Sequence, residues 1–349
     1  MLRRLKSFRL FLILFIFLIA VPLSGATCDK LVDRGVGDGT GEGGAAAPPE
    51  MVIVPAGTFI MGRTDRGDDA TYGNSDEIPR HNVYLDSYQI GKYEVTNGEY
   101  AEILNWAKSQ GYIDTYNSST VTSYGQELLD FDDSDCQISY SSGEFVVEGR
   151  DGYSIADHPV VEVSWYGSAV YCNWLSEANG LTPAYNTSAW TCDFTKNGYR
   201  LPTEAEWERA AAWSGSEHWI YGYQGNTFSQ TKVNAYTNGH ANPLGLSSYP
   251  WTSPIGYYNG VNAGTLDSPS PVGCYDMSGN VWEWCNDWYG SAYYNSSSEN
   301  NPTGANPGLY RVLRGGSWGS GRDGLRSADR GRGSPTYAGY VFGFRVSRN

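Results

Sequence analysis

Forty-three glycines run through this 349-residue chain, interleaved with 12 Trp and 27 Tyr, and that interleaving limits what it can fold into. Glycine weakens helix and strand interiors and supplies turns, while large aromatic rings supply burial area. A chain of this kind packs through short elements and irregular backbone rather than long helices. No period of a solenoid or propeller is visible. Residues 51–349 are long enough for one large domain that buries about three-quarters of its surface.

The N-terminus sets the expected compartment. Arg3, Arg4, Lys6 and Arg9 precede a wholly apolar run over residues 10–21, which Pro22 breaks before the small residues Ser24-Gly25-Ala26. A membrane-spanning helix needs about 20 apolar residues, so the run reads as the core of a signal peptide over residues 1–27. Two processing routes stay open: cleavage after Ala26, or a lipoprotein box ending in Cys28, whose thiol would carry the lipid. Residues 28–50 are Gly, Ala, Pro and acid, a flexible linker that suits a tether. These features predict export to a bacterial cell envelope or surface, with membrane contact only through a lipid anchor. Loss of the first 26 residues takes four positive and no negative charges, moving the formal charge from −14 to about −18. An acidic chain of this kind is a poor partner for nucleic acid.

Along the domain, residues 51–62 read as a strand broken by a turn at Pro55-Ala56-Gly57, and residues 82–95 as paired strands. Arg66-Gly67-Asp68 is a common tripeptide in a polar loop. Thr96 and Glu99 form a capping box that starts a helix, residues 111–157 read as an inserted loop or small hairpin, and residues 160–163 as a short buried strand. Ser164 caps a second helix, and Thr203 with Glu206 makes a second capping box for a helix ending near Trp213. The expected class is α+β.

Four blocks carry a resemblance: residues 51–62; PVVEVSWYGSAVYCNWLS at 159–176 with GYRLPTEAEWER at 198–209; GCYDMSGNVWEWCNDW at 273–288; and residues 311–346, framed by Arg314-Gly-Gly-Ser-Trp318 and Gly343-Phe-Arg345. In order and over nearly the whole domain they resemble the formylglycine-generating enzyme and sulfatase-modifying-factor family. The resemblance implies a compact fold with little regular secondary structure and a C-type-lectin-like core. Oxidases of that family carry a copper-binding cysteine pair between the last two frames, where soft thiolates suit Cu(I). Here residues 318–342 contain no cysteine, and none follows Cys285. The histidines at 81, 158, 218 and 240 share no short ligand spacing. Neither copper nor iron is expected.

Asp276, Gly279, Val281 and Glu283 offer two carboxylates and two carbonyls around a tight turn, a hard-oxygen set suited to calcium. The resemblance implies a structural calcium on those four positions; the alternative is a turn held by Asn280. A second site of the family would use Asn234 and the Ala235 carbonyl, but its carboxylate position is missing near Ser247.

The C-terminal block alternates fixed frame residues with Gly319, Ser320, Gly321, Arg322, Asp323, Gly324, Asp329, Gly331, Arg332, Gly333, Ser334, Thr336, Tyr337, Gly339 and Tyr340. Many relatives resemble runs of asparagine there, and substitution at the adenines of an Asn codon supplies the residues found here. In this the block resembles the variable proteins of diversity-generating retroelements. Tyr, Arg and small residues also suit a protein-binding surface. The reading is a surface-tethered binding protein that presents these positions to a protein or other macromolecular ligand. An oxidase acting on protein cysteine and a structural envelope module remain the alternatives.

Overall fold

The computed structural model describes residues 46–236, 243–305 and 307–349; the signal peptide, Cys28 and His240 lie outside them. Residues 46–50, at the end of the segment read as a linker, sit on the domain: Ala46 is buried, and Glu50 accepts from the Lys92 N–H.

Strands β1 (Met51–Val54) and β2 (Gly57–Met61) flank the expected turn, and β3 (His81–Leu85) and β4 (Tyr88–Gly91) follow the polar loop, which holds a short helix α1 (Gly67–Tyr72). The two strands expected to pair within 82–95 do not pair with each other. Instead β1 takes β4 and β2 takes β3, both antiparallel. β16 (Ser347–Arg348) closes on the other side of β4, so the C-terminal residues join the N-terminal sheet.

Both predicted capping boxes form. Thr96 Oγ1 accepts from the Glu99 N–H while Glu99 Oε2 accepts from the Thr96 N–H at 2.9 Å, starting α2 (Asn97–Ser109). Thr203 and Glu206 do the same for α4 (Glu204–Ala212). Between them α3 (Trp165–Ala178) starts at Ser164, which accepts from the Gly167 N–H, and is buried almost all round. The insertion is more ordered than a loop. It forms a three-stranded sheet of β5 (Thr115–Tyr116), β6 (Thr120–Ser123) and β7 (Gln126–Asp130), then a hairpin of β8 (Ile138–Ser141) and β9 (Glu144–Val147). Its apolar side chains Val121, Leu128, Leu129, Ile138 and Phe145 share one core with α2 and α3. Residues 160–163 are buried but form no ladder, because Glu162 adopts a left-handed φ of 55° that breaks the extended run. A short hairpin, β10 (Tyr185–Asn186) with β11 (Thr191–Cys192), follows α3.

The sheet that carries the C-terminal block has the order β14–β13–β12–β15: Gly331–Gly333, Arg311–Arg314, Trp282–Trp288 and Phe342–Gly343. β12 and β15 run parallel, the others antiparallel.

Around this sheet four arginines, Arg314, Arg326, Arg330 and Arg345, are buried and paired with carboxylates. Arg345 holds Glu283 of β12 with two bonds of 2.6 and 2.7 Å. Arg330 holds Glu204 of α4 at 2.6 and 2.8 Å, and Arg326 holds Glu77 at 2.7 and 2.7 Å with Asp69 at 3.1 Å. Arg314 meets Glu208 of α4 at 2.5 Å. Burial alone would raise the Glu208 carboxyl, but the His218 bond and the Arg314 charge outweigh it and hold it down to about 2. Arg200 holds Glu206 at 2.7 and 2.7 Å.

Breaking such a pair leaves an uncompensated buried charge, which costs about 3–5 kcal/mol. Arg326→Leu, which strands Asp69 and Glu77, is therefore expected to lose that much in urea denaturation. Arg322→Ala, at an exposed position of the same block, is expected to stay within about 0.5 kcal/mol. Equal losses for the two variants would contradict the division between frame and surface.

Candidate binding face

The C-terminal block divides by burial as its sequence divides by residue type. Arg314 to Trp318, Leu325 to Ala328, Arg330, Pro335 and Gly343 to Val346 are all buried. Of the positions between them, Gly319, Arg322, Asp323, Arg332, Thr336, Tyr337 and Tyr340 are exposed, and Ser320, Gly321, Gly324, Gly331 and Ser334 are half-buried.

Two Trp rings gather these segments. The half-buried Trp282 lies beneath two of them: a Cβ built on Gly324 would meet its ring at 3.8 Å, and one built on Gly331 at 2.9 Å. Trp318 lies 5.8 Å from the Tyr340 ring and 5.2 Å from that of Tyr249, which stacks on Tyr340 at 14°. Tyr337, Tyr249 and Tyr340 are 54%, 45% and 40% exposed. Tyr249 and its neighbour Trp251 come from a loop far from the C-terminal block, and no local sequence signal pointed to them. The Tyr236 N–H donates to the Ser320 carbonyl and adds another exposed ring. The arrangement offers fixed aromatic contact area, and the block also exposes Arg322 and Arg332, the latter over the Tyr289 ring at 4.9 Å; these are residue types suited to interface anchors.

Three of the fifteen candidate positions face inward. Asp329 is buried and accepts from Arg326 at 3.2 Å and from Asn74 at 3.3 Å, so it belongs to the arginine frame. Gly333 lies in β14 against Trp284, whose ring a Cβ would meet at 2.5 Å. Gly339 is buried, and its carbonyl accepts from the Glu162 and Phe342 N–H groups.

The turn read as a calcium site is built as its residues suggest, with Asp276, Gly279 and Asn280 at φ of 59°, 89° and 59°. Its carboxylates are arranged differently. Both oxygens of Glu283 are taken by Arg345, and one also accepts from Trp207 Nε1 at 2.8 Å. Besides Asp276, which accepts from the Gly256 N–H, the carboxylate at this turn bonded to no arginine is Glu94, which accepts from Asn280 Nδ2 at 2.7 Å and the Val281 N–H at 3.3 Å. Burial, then the charges of Asp276 and Glu283, push Glu94 well above the usual carboxylate range. Burial pushes Asp276 up to about 6. Two buried acids with incomplete neutralisation fit a hard divalent cation, with Glu94 rather than Glu283 beside Asp276. Among the described residues no group of three or more His, Cys, Asp or Glu is placed to hold a metal ion, so carbonyls such as those of Gly279 and Val281 would have to complete the set. At the second position Asn234 Nδ2 donates to the Trp251 carbonyl, and Ser247 is held by Asp151 of the insertion.

Cys136, Cys172, Cys192, Cys274 and Cys285 are free thiols. Burial pushes Cys136 and Cys192 up to about 12 and Cys274 up to about 11, away from the thiolate form that reactive cysteines need. The Arg66-Gly67-Asp68 tripeptide is engaged within the domain: Arg66 pairs with Glu217, and Asp68 accepts from the Tyr221 hydroxyl.

Gly333→Ala, which forces a methyl into Trp284, is expected to lose about 1–3 kcal/mol, while Gly319→Ser is expected to leave the denaturation midpoint unchanged. Burial pushes the Asp329 carboxyl up to about 6 from its ordinary 3.8, against the pull of Arg326. A group that binds its proton more tightly when folded loses stability as pH rises through that window. Asp329→Asn should therefore flatten the fall in melting temperature between about pH 4 and pH 6. An unchanged slope would contradict the placement of Asp329.

Residues 41–349 match the family model described as a sulfatase-modifying factor enzyme 1-like domain. The serine/threonine-protein kinase pkn1 of Chlamydia pneumoniae is 34% identical over 302 residues, which cover 86% of this chain but only 38% of that protein. The formylglycine-generating enzyme of Bos taurus is 28% identical, over 88% of this chain and 77% of that one. Among solved structures, Treponema denticola variable protein 1 superposes with a TM-score of 0.60 at 25% identity, covering 85% of this chain and 94% of its own. PvdO from Pseudomonas aeruginosa gives a TM-score of 0.57 at 27% identity, with coverages of 86% and 94%. The chain belongs to the family of the sulfatase-modifying factor enzyme 1-like domain.

Proposed function

We propose that this protein is an exported, surface-tethered binding protein of a bacterial envelope. Its family scaffold is non-catalytic here and presents a diversified C-terminal face to a protein or other macromolecular ligand. The observation that carries the reading is the burial pattern of residues 311–346: frame residues are inside, and of the fifteen inter-frame residues seven are exposed and five half-buried, with Gly324 and Gly331 against Trp282 and Tyr340 against Trp318. The likeness to Treponema denticola variable protein 1 supports it. So does the absence of cysteine from residues 318–342, which leaves no thiolate pair for the oxidase alternative. The leader-like residues 1–27 and Cys28 supply export and a lipid tether, and the formal charge of −14 disfavours nucleic acid as the ligand.

Codons 311–349 resequenced from many cells of one lineage are expected to vary at the exposed inter-frame positions, at adenines of a nearby template copy. An invariant block with no such copy would overturn the diversified reading.

A calcium ion beside Asp276 and Glu94 would brace the turn that carries β12. Millimolar calcium is then expected to raise the melting temperature by several degrees through mass action, and Asp276→Asn to abolish the rise. A melting temperature indifferent to calcium and chelator would exclude the ion.

A further inference from the structure

The display face meets the insertion at Glu162, whose position is unusual in two respects. Its φ of 55° lies in the left-handed region, and the residue is only 1% exposed. Its Oε1 is buried without a hydrogen-bond partner among the described residues. Its backbone joins two segments: the N–H donates to the Gly339 carbonyl at 3.2 Å, and the carbonyl accepts from the Asp130 N–H at 3.0 Å.

We propose that Glu162 is a positioning residue that couples the charge of the insertion's acidic segment to the placement of residues 336–340 on the binding face. This rests on the reading of that face as a ligand surface, and it assigns the face a form of regulation.

The acids acting on its carboxyl are Asp133 and Asp135 of the segment after β7 and Asp130 at the end of that strand, with the Cys136 thiol beside them. The cation of this region, Arg150, donates to the Ser134 carbonyl and lies 4.0 Å from Asp135. The titratable groups of residues 336–340 themselves are the phenols of Tyr337 and Tyr340. A neutral Glu162 carboxyl is tolerated in such a pocket; an ionised one adds a further anion with no partner. Burial, followed by the charges of Asp133, Asp130 and Asp135, pushes the group up to about 8. Because the proton is held more tightly in the folded protein, this contribution to stability falls away as pH rises toward about 8. The residue bonded to Gly339 is then the one under strain, and the 336–340 segment is the part that loosens.

The test is hydrogen–deuterium exchange of peptides covering residues 334–342 in the full protein between pH 6.5 and 9.5, each rate divided by that of Glu162→Gln at the same pH. The wild type is expected to gain exchange several-fold across a transition near pH 8, whereas Glu162→Gln, of equal shape and always neutral, shows none. Asp133→Asn, an exposed change that removes one repelling charge, should move the midpoint to lower pH. A wild-type profile parallel to that of the Gln variant would overturn the proposal, as would a midpoint that Asp133→Asn leaves in place. Exchange needs no ligand, so a transition found in a protein that binds no partner would uphold the coupling while removing the binding reading.

Discussion

Buried arginine–carboxylate pairs are the constraint on which this structure depends. Few regular elements run through the C-terminal half, so backbone ladders alone do not fix where its loops lie. Arg314, Arg326, Arg330 and Arg345 do so, each inserting a guanidinium among carboxylates from a distant part of the chain: α4, the 63–77 loop and β12. For Arg326, Arg330 and Arg345 a two-bond contact between planar groups sets direction as well as distance. Desolvating both charges is costly, and the net stabilisation of an intact pair is small. A placement of the block that separated these groups would leave several charges buried and unmatched, at a cost of several kcal/mol each.

That arrangement separates residues that are buried and paired from residues that are exposed. The guanidinium anchors lie within a few residues of every exposed segment, so the ends of each loop are fixed independently of its tip. At the tips, Gly319, Arg322, Asp323 and Thr336 face solvent and Tyr340 lies against Trp318. Gly331 and Gly333 are different: Trp282 and Trp284 occupy the space a side chain would need. Asp329 is different for an electrostatic reason, since it helps to balance Arg326.

What was legible in the sequence was local. The capping boxes at Thr96 and Thr203 need only residues three apart, and both formed where the pattern placed them. The frame of the C-terminal block was visible from its residue types. Strand pairing was not: β3 and β4 are neighbours in sequence, yet each takes a partner from residues 51–61, and no spacing rule encodes that choice. The same holds at the turn around Asn280, where Glu94 arrives from 186 residues away and Glu283, adjacent in sequence, is claimed by Arg345. Tyr249 joins the aromatic cluster of the face from outside the block. Asp329 and Gly333 look like their exposed neighbours in sequence, and only packing distinguishes them.

The most direct test of this division is to randomise Gly319, Ser320, Gly321, Arg322, Asp323, Ser334, Thr336, Tyr337 and Tyr340 together, and to score each variant for protease resistance beside a library of equal size at Arg314, Asp329, Arg330 and Gly333. The account predicts that most of the first library resists proteolysis like the parent and most of the second does not. If the first library loses the fold as often as the second, the exposed segments are structural, and the face is not a display surface.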